Sequence, residues 1–169
     1  NGAQIVTIAP DFSASSVHAD LWVPVKPGCD AALALSMAQV MLDEKLYDPA
    51  FIREQTDLPL LVREDTRRYL RSSDLKAGGS DEELYLHDPK RGVVLVPRKE
   101  LRLGELEPSL EGRFEVTLAD GTKATVRPVF ELLRERVARY VPEQATLLCG
   151  TPPSAIRSLA RRIAKAKSA

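Results

Sequence analysis

The 169-residue chain is long enough to bury a core, and its 24 Lys+Arg balance 24 Asp+Glu, so no net charge draws it toward nucleic acid or a membrane surface. With 44% hydrophobic and 28% charged residues the composition is that of an ordinary folded protein, and no apolar run reaches the ~18 residues a membrane-spanning helix needs. Cys29 and Cys149 form no CxxC pair and only His18 and His87 accompany them, which argues against a cysteine-rich zinc or iron–sulfur site and leaves free thiols as the expectation.

The chain opens on Asn1-Gly2-Ala3, without an initiating Met or a signal-like segment, so further residues are expected upstream and the compartment stays open. Residues 4–8 are apolar and β-branched enough for a buried strand, which Ala9-Pro10-Asp11 ends because Pro cannot donate to a ladder. A serine-rich stretch at 12–18 follows, then a second extended segment at 20–25. Lys26-Pro27-Gly28-Cys29-Asp30 reads as a turn entering a helix, with Asp30 as the N-cap and the helix running to about residue 45. Residues 31–42 are apolar nearly all round, as in a helix covered on several sides.

Asp48-Pro49 opens a short helix at 50–55, and 56–62 breaks it. The charged stretch 63–71 is compatible with a helix, and 72–83, with Gly78-Gly79, reads as a linker or insert. Short strands are expected at 84–87, 93–96, 114–118 and 122–126, the last two joined through the hairpin signal Asp120-Gly121. Pro128 starts a helix through Tyr140, a short helix at 142–148 stops at Gly150, and Thr151-Pro152-Pro153-Ser154 opens a last helix at 155–167. No internal repeat is present. The fold class is therefore α/β: a partial Rossmann-like parallel sheet with helices, a β-hairpin-containing insert and C-terminal helices. The expected segments are 1–71, 72–127 and 128–169.

The candidate chemistry lies at the ends of the first two strands. Nucleotide-binding α/β halves meet their ligand at the carboxyl ends of parallel strands. Pro10, Asp11 and Ser13 stand there, although an Asp after Pro followed by serines also makes a plain turn. Lys26, Pro27, Gly28, Cys29 and Asp30 form the second candidate, with Asp30 either capping the helix or offering two acceptor oxygens to a guanine edge. His18 has Asp20 nearby but no nucleophile or second ligand, and His87 has less support. Arg157, Arg161, Arg162, Lys165 and Lys167 give the last helix a basic face, which a solvated face or an acidic partner would explain. No aromatic residue interleaves them, so nucleic acid is not an expected partner.

Read as one string, the order Ile5-Val6-Thr7-Ile8-Ala9-Pro10-Asp11, Ser15-Ser16-Val17-His18-Ala19-Asp20 and Pro24-Val25-Lys26-Pro27-Gly28-Cys29-Asp30-Ala31-Ala32 resembles a segment of the molybdopterin oxidoreductases, the dimethyl sulfoxide reductase family. The continuation Leu46-Tyr47-Asp48-Pro49-Ala50-Phe51-Ile52-Arg53-Glu54-Gln55 is most similar to the branch of respiratory nitrate reductase catalytic subunits and their selenate, chlorate and ethylbenzene relatives. Pro128-Val129-Phe130-Glu131 and Tyr140-Val141-Pro142-Glu143-Gln144-Ala145 extend the likeness, which is weak over 72–127.

The resemblance implies an internal piece of a catalytic subunit holding bis(molybdopterin guanine dinucleotide)-molybdenum, an oxyanion reductase of the nitrate type. It makes Pro10, Asp11, Ser13, Lys26, Pro27, Gly28, Cys29 and Asp30 cofactor-side positions, with Asp30 the better guanine contact. Many relatives carry Asp-Pro-Arg where this chain has Ala9-Pro10-Asp11, and Thr where it has Cys29. No residue here is expected to be catalytic or to bind metal, and the piece alone is expected to be inactive and to hold no cofactor. The iron–sulfur cluster of the parent lies outside this chain by the same likeness. Implied partners are the remainder of the catalytic subunit and an iron–sulfur electron-transfer subunit, with self-association through exposed apolar surfaces and no direct membrane insertion. The rival reading is a freestanding nucleotide-binding or protein-interaction α/β module without redox activity.

Overall fold

The computed structural model describes residues 2–97 and 103–166. Its strands are β1 (Val6–Ala9), β2 (Leu21–Pro24), β3 (Leu61–Arg63), β4 (Tyr85–Asp88), β5 (Gly92–Leu95), β6 (Phe114–Thr117) and β7 (Lys123–Pro128). The helices are α1 (Asp30–Asp43), α2 (Pro49–Gln55), α3 (Ser72–Leu75), α4 (Val129–Val137), α5 (Pro142–Cys149) and α6 (Pro153–Lys165). Lys167 lies outside the described residues. The chain divides into two compact units, one of Asn1–Tyr47 with Arg136–Ala169 and one of Asp48–Glu135.

In the first unit β1 and β2 pair in parallel with Val6 opposite Leu21 and Ala9 opposite Pro24, and α1, α5 and α6 pack together. The core joins Val23, Val25, Leu33, Ala145, Cys149, Ile156 and Leu159. On α1, Leu33, Ser36 and Val40 point inward while Ala31 and Ala34 are exposed, so the helix is apolar beyond the face it buries. α6 has the sharpest apolar stripe, with Ile156, Leu159 and Ala160 buried at helical spacing.

The second unit holds an antiparallel sheet in the order β3-β7-β6 and a separate β4-β5 hairpin. The turn at Asp120-Gly121 forms where expected: Asp120 Oδ1 accepts from the Thr122 amide at 2.9 Å, and Gly121 adopts φ 83°. Leu61, Leu70, Val116, Ala124 and Val126 make its core. The stretch 63–71 is not a helix. Arg63 N donates to Arg68 O at 2.9 Å and Leu70 N to Leu61 O at 2.8 Å, so the chain doubles back on β3. The reason is burial: Leu61 and Leu70 both need the same core, and a helix through 63–71 would carry Leu70 away from it. The 72–83 stretch holds α3, pinned by Asp74, whose Oδ2 accepts from the Arg71 amide at 2.8 Å.

Candidate nucleotide-binding edge

The parallel register decides where the first unit can bind anything. Because Ala9 stands opposite Pro24, residues 10–13 and 25–30 leave the strand pair at the same end. Such an edge is where open α/β sheets place ligands. All eight residues singled out from the sequence lie on the two segments that emerge there. Pro10, Asp11, Ser13, Lys26, Pro27, Gly28 and Asp30 are exposed and Cys29 is half-buried.

The segment after β1 is held by Trp22, whose Nε1 donates to the Ala9 carbonyl at 3.2 Å and whose indole meets Phe12 edge-on at 5.7 Å between centroids. Ser13 is the N-cap of a single 3-10 turn at Ala14–Ser16, with Ser16 N donating to Ser13 O at 2.8 Å. Its own hydroxyl makes no capping bond. At the other end of β1, Asp20 Oδ2 accepts from the Ile5 amide at 2.7 Å and so sets the start of the register.

After β2 the chain makes a turn in which Cys29 N donates to Lys26 O at 3.0 Å. Pro27 and Gly28 occupy its centre, and Gly28 has φ 75°, the combination a type II turn selects. A side chain at Gly28 would meet nothing within 4 Å, but the left-handed backbone there still favours glycine. The turn shifts the helix start by one residue from the sequence reading. Cys29 is the N-cap, with φ −108° and no side-chain capping bond, and its carbonyl accepts from Ala32 N at 3.1 Å. Asp30 is therefore the first residue within the helix rather than its cap. A carboxylate in this first turn is favoured by the helix dipole without being consumed in a bond.

Two residues that the sequence reading treated only as punctuation build the floor of the edge. Gly150 ends α5 in the left-handed conformation, φ 75°, and the methylenes of Lys26 lie against it, 3.2 Å from where a Cβ would stand. Thr151, wholly buried, donates from Oγ1 to the Pro24 carbonyl at 2.5 Å, while Lys26 N donates to Cys149 O at 2.8 Å. Gly-Thr-Pro-Pro advertises a helix stop and start; nothing local in it announces a contact with β2.

His18 is exposed and joins no other candidate. Among the described residues, no group of three His, Cys, Asp or Glu side chains is placed to hold a metal ion, and no helix is long and apolar enough to cross a membrane. Part of the basic face of α6 is answered from within the unit: Arg157 binds Glu143 at 2.7 Å and Arg161 grips Glu44 through Nε and Nη2, at 2.8 and 2.7 Å, while Arg162 Nη1 donates to Gln4 Oε1 at 3.0 Å. Those bonds hold Glu143 and Glu44 below the usual carboxylate range. What the edge offers is thus a pair of exposed carboxylates, an ammonium, a hydroxyl and the first amides of a 14-residue helix. Carboxylates, an ammonium, a hydroxyl and free helix amides are the groups that suit base edges, ribose hydroxyls and phosphates, and none of these eight residues pairs a nucleophile with an attendant base.

No family model matches the chain. Over 99% of its length it is 42% identical to the perchlorate reductase subunit alpha of Dechloromonas aromatica, covering 21% of that protein. Over 100% it is 44% identical to the dimethylsulfide dehydrogenase subunit alpha of Rhodovulum sulfidophilum, and 33% identical to the respiratory nitrate reductase subunit alpha of Haloferax mediterranei, covering 19% of each. The chain thus spans about a fifth of the length of these relatives. Among solved structures, acetylene hydratase from Pelobacter acetylenicus shares the fold over 98% of the chain and 13% of its own, with a TM-score of 0.52 at 19% identity.

Proposed function

The chain belongs to the molybdopterin oxidoreductase family, among whose alpha subunits it finds its relatives from end to end, and from that premise we propose that it cradles the guanosine end of a molybdopterin guanine dinucleotide within such a subunit. The parent, on this reading, is an oxidoreductase of oxyanions of the nitrate and chlorate type, holding bis(molybdopterin guanine dinucleotide)-molybdenum, with an iron–sulfur cluster elsewhere in it.

The observation that carries the reading is the parallel register of β1 and β2, which delivers both candidate segments to one edge with Asp30 not spent on capping. The residues there fit the group. The Asp30 carboxylate has two acceptor oxygens for the adjacent N–H donors of a guanine edge. Lys26 and the first amides of α1 suit phosphate oxygens. Gly28 leaves open space where a side chain would stand, and Pro27 and Cys29 fix the turn that presents it. Pro10, Asp11 and Ser13 are assigned to the ribose side, where a carboxylate and a hydroxyl can meet vicinal hydroxyls. When bound, the cofactor supplies the redox chemistry, and these residues supply binding and orientation.

The same reading makes the remainder of the catalytic subunit the first partner and an iron–sulfur electron-transfer subunit the second. Ile5, Ile8, Phe12 and Val17, exposed by 56%, 44%, 60% and 60%, support it by offering apolar side chains on and beside β1 for further chain to cover. Alone, the 169 residues are expected to be inactive and to self-associate through this surface.

The test is cofactor content. In the catalytic subunit that carries this segment, Asp30→Ala is expected to lower GMP released by acid hydrolysis, and bound molybdenum, at least tenfold while the subunit stays folded. Full loading in both Asp30→Ala and Lys26→Ala variants would overturn the assignment.

A further inference from the structure

The second unit contains a cleft of about 970 Å³ that the reading above does not use. The turn after β3 brings Thr66, Arg67, Arg68 and Tyr69 to it, and Val129 and Leu132 of α4 give it an apolar wall. Its volume is that of a small-molecule site.

The charges lining it are unequally satisfied. The two acids are already engaged: Asp74 Oδ1 takes Arg63 Nη1 at 2.5 Å and Asp74 Oδ2 takes the Arg71 amide, while Asp81 accepts from the Ser73 hydroxyl. Arg71 is also engaged, its guanidinium donating to the Asp81 carbonyl. Arg67 and Arg68 are exposed, and among the described residues neither guanidinium meets a carboxylate within ion-pair distance. The field of Arg67 reaches Glu135, but that carboxylate is bonded to Arg127 at 2.5 Å. Arg67 is furthermore one of two non-glycine residues with positive φ among the described residues, at 59°, so the turn holds its place in the cleft wall at a conformational cost.

We propose that this cleft binds a small multivalent oxyanion, a phosphate ester or a polycarboxylate, gripped by Arg67 and Arg68 and lying along Val129 and Leu132. Arg67 and Arg68 both line the cleft, and each unanswered guanidinium presents a planar fork matched to a pair of anionic oxygens. A monoanion would satisfy one and leave the other. Thr66 and Tyr69, which also line the cleft, carry hydroxyls that can serve as neutral donors.

The experiment titrates the catalytic subunit that carries this segment with pyrophosphate, citrate and nitrate, following heat and hydrogen–deuterium exchange of its peptides. Saturable binding of pyrophosphate or citrate is expected, with protection centred on residues 66–73 and 129–132, and binding there at least tenfold tighter than nitrate. The tighter of the first two assigns the phosphate or the carboxylate class. Arg68→Gln should weaken binding at least tenfold, as should Arg67→Gly, which relieves the left-handed backbone and so cannot lose binding through misfolding. Arg134→Gln, which breaks an ion pair with Glu111 outside the cleft, should leave binding unchanged. No saturable binding, nitrate binding as tightly, or equal loss in Arg134→Gln would each overturn the proposal.

Discussion

Both units pair their framework charges and leave a few bare, but they do so in different places. In the second, the buried arginines are answered: Arg127, buried among β7 and its neighbours, meets Glu131 at 3.0 Å, Glu135 at 2.5 Å and Glu64 at 3.4 Å, and Arg63 is shared by Asp65 and Asp74, while the exposed Arg67 and Arg68 stay unpaired at the cleft among the described residues. In the first, Arg157 and Arg161 of α6 are paired, but the charges at the strand-end edge, Asp11, Lys26 and Asp30, stand exposed, and among the described residues none of them has an ion-pair partner. Paired charge marks scaffold, where the partners are supplied by the chain itself. Unpaired charge at the carboxyl end of a parallel pair marks a place where the partner comes from elsewhere. If that contrast is right, substitutions should separate stability from binding along the same line.

The largest effect is expected at Arg127. Its Arg127→Ala variant removes a buried guanidinium and leaves three carboxylates facing one another, and should cost roughly 2–3 kcal/mol, kept below the figure for a wholly buried pair by the partners' exposure. A denaturation midpoint unchanged from the parent would break the claim that these pairs are scaffold. Gly150→Ala comes next, at about 1–2 kcal/mol, because it places a Cβ both in a left-handed backbone and against the Lys26 methylenes. Gly150→Asn, which tolerates the same backbone, should recover part of the loss; equal melting of all three proteins would show that Lys26 simply moves aside.

A smaller effect is a pH dependence of the second unit. Burial pushes the His87 imidazole below its ordinary range, against a weaker opposing pull from Asp88, and the ring stacks on Phe114 at 3.5 Å between centroids. The folded state thus disfavours the proton that the unfolded chain binds below about 6.5. Between the lowered folded value and about 6.5 the unfolded state carries more protons, so stability rises with pH there and is level above it. Asp88 works at the acid end. Backbone amides of Glu107, Lys90 and Arg91 hold its carboxyl below the usual range, so its contribution is present above about 3.9 and lost as pH falls through the lower folded value. In urea melts against pH, His87→Gln should flatten the limb just below neutrality and spare the acid one; the reverse pattern would misassign both groups.

How far the sequence reveals this contrast depends on the range of each contact. The strand, turn and helix of residues 4–45 are legible because each is punctuated locally, by Pro10, by Pro27-Gly28 and by the apolar run of α1, but the burial expected of the first strand is not met, since Ile5 and Ile8 are exposed. The hairpin at Asp120-Gly121 is legible for the same reason. The backward turn at 63–71 is not, since its ordering contact lies between Leu61 and Leu70 in a core assembled from distant strands, while the intervening charges satisfy a helix pattern equally well. Thr151 is hidden further still, its bond to Pro24 spanning 127 residues. The acids that answer α6, Glu44 and Glu143, likewise lie on other helices, which is why a basic helix face reads from sequence as available to a partner.

The smallest expected change in stability is at Asp30, and it separates the readings most cleanly. If Asp30 were the helix cap, Asp30→Ala would cost about 1 kcal/mol, as loss of a capping carboxylate does. The structure instead puts Cys29 at the cap and leaves Asp30 exposed within the first turn, so only a dipole contribution of about 0.3–1 kcal/mol is at stake, screened by salt. Asp30→Asn, which keeps one acceptor oxygen and removes the charge, should therefore melt within about 0.5 kcal/mol of the parent at physiological ionic strength. For guanine recognition the two variants are alike, since both lose the paired acceptors that adjacent N–H donors require. A subunit that keeps its stability but loses its cofactor in both variants places Asp30 with the unpaired edge. One that loses stability in proportion to cofactor would return the residue to the scaffold.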